Sequence, residues 1–509
     1  MNTLPHSIVE HLTELLSSRS LDPVLEALLS PCVNQPGVAA YTALVADADK
    51  LGRRLACQMV TDFLEKLDEE FRGRPERPRR YYVKNTRQRV LLTLVGEVRY
   101  RRTEYVERDT GRPYIYVDEA VGLLRRQRFG ADIQAEAYAL YSDRNSMIKV
   151  GETLGMMING FEPRKKPKQT AVSRQQVQRM INRIASIHLK PPKAERTPEV
   201  LFIAADEKWV SLQRKAQGSG TPAKKEEMLK LAMIFSGREA VRRKDGTQTG
   251  RWELTGRRFF ACPHDSPRFW DNLLDELYQV YDFEKIRKIY ILGDGGPWIK
   301  AGVDILRSDG VDCAFALDRY HTWQYLHRIT PNKIYRRLLY DDLSHGSRKE
   351  FNALVDVILQ RSADKDKETI EASREYLLAN MNACVRMENE VRIGCAMEQA
   401  IGHVFASSFT SVPKAFGVEQ LRNYADARVK EQNRENMAKL YLAAVQKLVD
   451  ETCARRKNGD FRTAVRNPAG CHADLTDTNL DLGSIFDRRG EEDFYEVHLP
   501  FQGAWGKTR

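Results

Sequence analysis

None of the eight cysteines in this 509-residue chain forms a Cys-x-x-Cys pair. They lie scattered at 32, 57, 262, 313, 384, 395, 453 and 471. That scatter excludes a disulfide framework and zinc-finger spacing, and it fits a reducing cytoplasm. Cys262-Pro-His264 and Cys471-His472 each have the residues for half of a metal site, but no matching second half is present and neither is read as one. No apolar run approaches the roughly 18 residues a membrane span needs. The start, MNTLPHSIVEHLTELL, has no basic segment followed by an apolar one. Neither a signal peptide nor a membrane span is therefore expected.

What the chain does have is a core and positive charge. Hydrophobic residues make up 42% and charged residues 30%, a globular composition, and the length suits two to four domains. The net charge is +11. Lysine and arginine cluster upstream, in RGRPERPRR, VRYRRTEY and PRKKPK. Local basic clusters of this kind suit a polyanion partner, most simply nucleic acid.

Residues 1–75 are expected to be helical. Val9, Leu12, Leu15 and Leu16 repeat at helical spacing, as do Leu51, Leu55, Met59, Phe63 and Leu67. Residues 76–130 shift to β-branched and aromatic composition. RVLLTLV, a turn at Val95-Gly96-Glu97 and EVRYRRTEY predict a hairpin. Arg99, Arg101 and Arg102 on such a ribbon can track phosphates or enter a groove; the plainer alternative is an edge strand protected by charge.

Residues 131–195 return to helix. ADIQAEAYALYS, SMIKVGETLGMMI and SRQQVQRMINRIASIH predict three helices. The third starts with Ser173 as N-cap, Gln176 as its capping-box partner and Val172 and Val177 at the staple positions. Val177, Met180, Ile181 and Ile184 form its buried stripe. Arg174, Gln175, Gln178 and Arg179 face outward, side chains that read base edges or hold phosphates. With Lys165, Lys166 and Lys168 in the preceding loop, the unit is helix-turn-helix-like, although its loop is long for that motif.

After a Pro-rich linker the pattern becomes α/β. VLFIAAD ends at Asp206, and KLAMIFSGREAV and WELTGRRFFACP follow as two further strands without long helices between. Then come a helix, the strand KIYILGD ending at Asp294, a helix from Pro297, and CAFALD ending at Asp318, with His321 three residues on. The predicted order is β-β-β-α-β-α-β-α, a ribonuclease H-like catalytic core. That fold sets the Asp206 and Asp294 strands side by side. Asp294 stands between a β-branched run and Gly295-Gly296-Pro297, at the kind of sheet edge where ligands gather; a simple turn residue is the alternative. Aspartates at strand ends suit Mg²⁺, which takes hard oxygen ligands and substrate phosphates.

AADEKWVSLQ, ILGDGGPWIK, LDRYHTWQYL and GCAMEQAIGHVFASSFTSVPKAFG together resemble the ISLre-type insertion-sequence transposases, DDE enzymes distantly similar to the Mutator type. The resemblance spans roughly residues 80–430. It implies Asp206, Asp294 and Glu398 as the catalytic, metal-binding acids, with Asp318 and His321 in support. Glu388 and Glu390 compete with Glu398. It also implies two Mg²⁺ ions (Mn²⁺ as a substitute), double-stranded DNA as partner (transposon ends and target), a homo-oligomer, and a bacterial, nucleoid-associated location without membrane contact. The core is expected over 196–322 and 391–430, split by a helical insertion at 323–390, with a helical and polar region at 431–509. Two alternatives stand beside a transposase: a ribonuclease H-like nuclease that cuts without joining, and a non-catalytic DNA-binding derivative.

Overall fold

The computed structural model describes residues 37–123, 127–144, 146–160, 172–184, 189–212, 226–243, 245–261, 268–394, 397–409 and 416–457. The chain divides into two compact units, residues 1–141, 146–187 and 438–509 in one, and 142–145 and 188–437 in the other.

In the first unit a long helix, α1 (Val38–Gly73), packs on the antiparallel hairpin β1 (Tyr81–Thr93) and β2 (Gly96–Glu107). The predicted hairpin is present, with its turn at Leu94-Val95, and a short β3 (Pro113–Tyr114) extends it. Helix and strand meet at matched intervals. The Thr61 hydroxyl donates to the Arg99 carbonyl, the Arg101 amide to Glu65 and the Thr103 hydroxyl to Asp68, and Phe71 packs edge-on to Tyr105. Every second residue of β2 thus meets the next turn of one helical stripe.

The buried stripe of α1 differs from the predicted one. Leu64 and Phe71 are buried, and Cys57, Val60 and Leu67 pack partly against the core, whereas Leu55 and Phe63 are exposed. A constant four-residue step gains about 40° per turn on a helix of 3.6 residues, so the series from Leu51 to Leu67 drifts off the face that alternating steps of three and four follow.

Three further helices, α2 (Ala131–Arg144), α3 (Met147–Asn159) and α4 (Arg174–Ile184), follow as expected, and α3 packs on α4. The capping box of α4 is formed: the Ser173 amide lies 2.6 Å from Gln176 Oε1 and the Gln176 amide 3.3 Å from Ser173 Oγ. Val172, Val177, Met180, Ile181 and Ile184 are all buried. Tyr441, from a late helix over Met437–Lys457 whose residues from Ala438 on belong to this unit, is buried with its hydroxyl 3.0 Å from Gln134 Oε1 and 3.1 Å from the Met180 carbonyl.

The second unit is built on a mixed five-stranded sheet. Its strands are β4 (Val200–Ser211), β5 (Glu226–Phe235), β8 (Arg258–Phe260), β9 (Lys288–Gly293) and β10 (Asp312–Leu317), in the order β10-β9-β4-β5-β8. β4, β9 and β10 run parallel; β5 is antiparallel to β4 and to β8. The second and third predicted strands are each divided, at Ser236 and at Gly256. Their inner halves leave the sheet as a separate ribbon, β6 (Gly237–Arg242) and β7 (Gln248–Thr255), and β8 keeps three residues of the third. The cause is composition: REAVRR and GRWELT carry too little apolar side chain to be buried in a sheet core.

Helices α5 (Phe269–Val280) and α6 (Pro297–Ser308) cover one face. The predicted insertion is entirely helical: α7 (Arg319–Ile329), α8 (Lys333–His345), α9 (Arg348–Arg361), α10 (Asp364–Ala379) and α11 (Met381–Arg386). It is continuous with the sheet's core, because Leu326, Leu343, Phe351 and Leu377 join one hydrophobic cluster with Leu201, Ile203, Ile289 and Ile291. A short helix α12 (Met397–Ile401) packs on β4 and β5, followed by α13 (Val418–Gln432) and α14 (Met437–Lys457).

Gly302 lets α5 and α6 meet. A Cβ built there would stand 2.4 Å from the Trp270 ring, whose Nε1 lies 2.6 Å from the Trp298 carbonyl. Gly302→Ala should therefore overpack this contact and lower stability by about 1–3 kcal/mol in urea unfolding, with little change in denaturant slope. An unchanged midpoint would show that the contact can relax.

Candidate active site

Register brings two of the predicted acids together. β4 and β9 pair in parallel from Val200↔Lys288 to Ala204↔Leu292. Asp206 and Asp294 each lie two residues beyond that last pair, so they stand level at the carboxyl edge. Alternation gives both the parity of Phe202 and Tyr290, whose rings stack at 5.6 Å, opposite the face of Leu201, Ile203, Ile289 and Ile291.

β10 adds a third aspartate at the same level. Ala316 pairs with Leu292, and Asp318 follows two residues on. Asp318 is buried and caps α7, accepting from the Tyr320 amide at 3.2 Å, while its own amide donates to the Gly293 carbonyl at 3.0 Å. It is thus built into the start of α7.

Burial pushes the Asp206 carboxyl up to about 6. Glu207 and Asp294 raise it further, while the Glu207 amide, 2.8 Å from Asp206 Oδ1, and His321 oppose the shift. His321 therefore acts on the predicted first acid. Asp294 Oδ1 accepts the Gly296 amide at 2.8 Å. Among the described residues no lysine or arginine pairs with either carboxylate. Two level carboxylates, one desolvated and neither neutralised by a basic side chain, form a donor set that suits a hard divalent cation.

The Asp294 turn is held from behind by the insertion. The Tyr376 hydroxyl donates to the Asp294 carbonyl. Asn380 is buried; its amide donates to the Tyr376 carbonyl at 2.9 Å, and its Oδ1 faces Gly295 without a hydrogen-bond partner. Gly295 has φ +80°, a conformation that L side chains avoid. Sequence pattern gave no sign of Tyr376 or Asn380, because neither lies in a motif and both come from the insertion.

On the opposite face of β4, Glu207 Oε2 accepts the Trp298 indole N–H at 2.7 Å, and the Lys230 ammonium lies 4.7 Å from the Trp298 ring centroid.

The third acid is not drawn in. Glu398 lies on α12, which packs on β4, but the residue is exposed and is absent from the charges that shift Asp206. Among the described residues, no three His, Cys, Asp or Glu side chains converge as a metal cage. Its two competitors are engaged elsewhere. Glu388 pairs bidentately with Arg319 and accepts from Tyr340, and Glu390 accepts from the Tyr290 hydroxyl at 2.7 Å and from Lys288 at 3.3 Å. Lys288 starts β9, so Glu390 belongs to the far end of that strand.

Of the predicted DNA-contacting residues, Arg99 and Arg101 are exposed on β2, and Arg99 pairs with Glu97. Arg102 turns inward to Asp118, which also holds buried Arg89 at 2.6 Å. Burial and the Arg89 charge lower the Arg102 guanidinium to about 10. Arg102 therefore serves the fold. Arg174 and Gln175 are exposed on α4, and Gln178 and Arg179 are half-buried beside them. Lys165, Lys166 and Lys168 lie outside the described residues, as does Cys395.

Asp206 gives a pH test. Its carboxyl sits near 6 when folded, against about 3.9 unfolded. The metal-free folded chain thus binds the extra proton between those values. The stability this contributes is complete below about pH 4 and lost as pH rises through about 6. In chelator at pH 8, Asp206→Asn should be more stable than the parent by up to about 3 kcal/mol. The difference should vanish at pH 4. Equal stability at both pH values would contradict a desolvated Asp206.

The family model described as "Uncharacterised protein family (UPF0236)" matches residues 39–443. A UPF0236 protein of Caldanaerobacter subterraneus subsp. tengcongensis, whose name joins eleven locus designations, is 29% identical over 430 residues, 82% of this chain and 82% of its own length. A second from the same organism, whose name joins four, is 28% identical over 403 residues, 77% of this chain and 78% of its own length. Among solved structures the chain is similar to the Drosophila P element transposase strand transfer complex, with 12% identity, 74% of this chain and 95% of that one covered, and a TM-score of 0.23. It is also similar to the Mos1 strand transfer complex, with 15% identity, 50% and 78% covered, and a TM-score of 0.14. Likenesses at these TM-scores carry no argument about fold or chemistry. The match over 39–443 does: the chain belongs to the UPF0236 family.

Proposed function

We propose that the second unit is a ribonuclease H-like, metal-dependent polynucleotidyl transferase, and the whole protein a DDE transposase of an insertion sequence resembling the ISLre type. The level placement of Asp206 and Asp294 on adjacent parallel strands, with Asp206 desolvated, carries the reading. The sheet order supports it. Taken in chain order, the core strands lie as five-four-one-two-three, with the second antiparallel to the first.

Asp206 and Asp294 would hold Mg²⁺, with Mn²⁺ as a substitute, and Glu398 is proposed as the third donor. Such ions, if bound there, would supply Lewis-acid chemistry for an in-line phosphoryl displacement. The chain's own residues have separate tasks. Asp206 would hold the ion as its carboxylate, a form that neighbouring His321 favours, and Tyr376 holds the Asp294 backbone in place. The basic ribbon of β2 and the exposed polar face of α4 would hold transposon ends against phosphates and base edges. Two ends must be held at once, which requires a homo-oligomer.

Joining is favoured over cutting alone by the relatives. One protein name that spans eleven loci of a single genome is what repeated insertion of a copied element leaves behind.

The test is strand transfer of a labelled terminal-repeat end into plasmid DNA with Mg²⁺. The parent should give joined product, and Asp206→Asn or Asp294→Asn should lower it at least about a thousandfold, the scale of losing a main electrostatic or metal-held group. Glu398→Gln should do the same. If it retains activity while the two aspartate variants lose it, the third donor is another residue. Cleavage without joined product identifies a nuclease. DNA binding that no aspartate substitution alters, with no cleavage, identifies a non-catalytic protein.

A further inference from the structure

The β6–β7 ribbon has no place in the proposed metal site or in the DNA contacts of the first unit. It is a two-stranded hairpin of six and eight residues, none of them buried. Such a ribbon is marginal in water when neither face is covered. Its base is tied to the sheet, the Ser236 amide donating to the Thr255 carbonyl at 2.9 Å.

Its two faces have opposite character. Arg238 pairs with Leu254 and Ala240 with Trp252, so these four share one face. Glu239 lies opposite Glu253 on the other. Like charges directly across a hairpin disfavour it. The gathering of both acids on one side leaves the other basic and aromatic. Trp252 is 57% exposed, and the Arg238 guanidinium stands 4.8 Å from its ring centroid. Arg238 covers part of the indole and leaves the rest to solvent. Arg242 and Arg243 are exposed further along β6 and just past its end, while Arg251, also exposed, has the parity of Glu253.

We infer that this ribbon is a second DNA-binding surface, on which the arginines hold phosphates and the open part of Trp252 stacks on an unpaired base. Arginine on one face of an indole and a base on the other is the arrangement that single-stranded segments favour, since every base offers a π-face. Acidic partners of other kinds would answer to the arginines and leave the tryptophan without a role. The inference rests on the proposed reaction, because cutting and joining strands exposes unpaired bases beside duplex ends.

The ribbon's position separates it from the reacting phosphate. β5 is antiparallel to β4, and its last residue, Phe235, pairs with Phe202. The ribbon thus departs four residues before Asp206 along β4, about 14 Å away. Substitutions in it leave the carboxylates in place.

The experiment uses the full chain and labelled DNA, one probe a blunt duplex and one a duplex with a single-stranded overhang, read by fluorescence anisotropy over a salt series. Trp252→Ala should weaken overhang binding about tenfold and leave blunt-duplex binding nearly unchanged. Trp252→Phe should retain most of the affinity. Arg242→Ala with Arg243→Ala should flatten the salt dependence for the overhang probe. Thermal melts of each variant establish that it folds. Equal binding of the overhang by Trp252→Ala and the parent overturns the inference. So does an equal loss on both probes, which would mark a general polyanion surface. A parent that binds duplex and shows no overhang preference also overturns it while leaving the proposed function standing. A parent that binds neither probe removes both.

Discussion

Parallel pairing of β4 with β9 is the constraint on which the second unit depends. A parallel neighbour cannot be reached by a tight turn, so the chain must cross over, and here it does so through the ribbon, β8 and α5. The crossover helices bury one face of the sheet. The pairing also sets the level at which β4 and β9 stand, and thereby puts Asp206 and Asp294 side by side. A slip of one residue would turn one carboxylate to the opposite face, among Ile203 and Ile291. The apolar alternation that keeps the core dry is therefore the same feature that keeps the two acids together.

The helical insertion contributes to that edge as well as to the core. Its α10 delivers Tyr376 to the Asp294 carbonyl and Asn380 to the Gly295 turn, while Leu377 enters the core between them. The turn after β9 is thereby fixed from outside the sheet. Two arginines of the insertion are spent locally: Arg336 donates to the Thr330 and Pro331 carbonyls and Arg348 to the Leu378 carbonyl. These two shape the helical layer, whereas Arg337 and Lys333 of the same layer are exposed.

Legibility in the sequence followed the range of the interaction. The start and stripe of α4 were readable because a capping box and a helical repeat span only a few residues. The strands carrying Asp206 and leading to Asp294 and Asp318 were readable because each holds a short apolar run, although the first continues past Asp206 to Ser211. The stripe of α1 was misphased by a strict four-residue step. The division of β5 from β6 was hidden because REAV continues a β-like composition after Phe235, and only the loss of a facing partner ends the sheet. Arg102 looked like its neighbours Arg99 and Arg101. Its pairing with Asp118 depends on a contact sixteen residues away in sequence. Tyr376 and Asn380 were out of reach for the same reason, with 82 residues separating Tyr376 from Asp294.

The third acid shows what separates a motif from a site. Asp206 is held within β4 by its pairing with β5, and Asp294 by the strand that ends one residue before it and by the Tyr376 bond to its carbonyl. A donor from α12 has no such tie, and Glu398 stands exposed on a short helix. Asp318 has the level but not the freedom, since it is buried as the cap of α7. The other nearby glutamates, 388 and 390, are held by Arg319 and Tyr340 and by Tyr290 and Lys288. The proposed Mg²⁺ would suit so few protein donors, because that ion keeps several waters and takes remaining oxygens from phosphate. On the proposed reading, Asp206 and Asp294 would locate the ion, and DNA phosphate oxygens with Glu398 would complete its coordination.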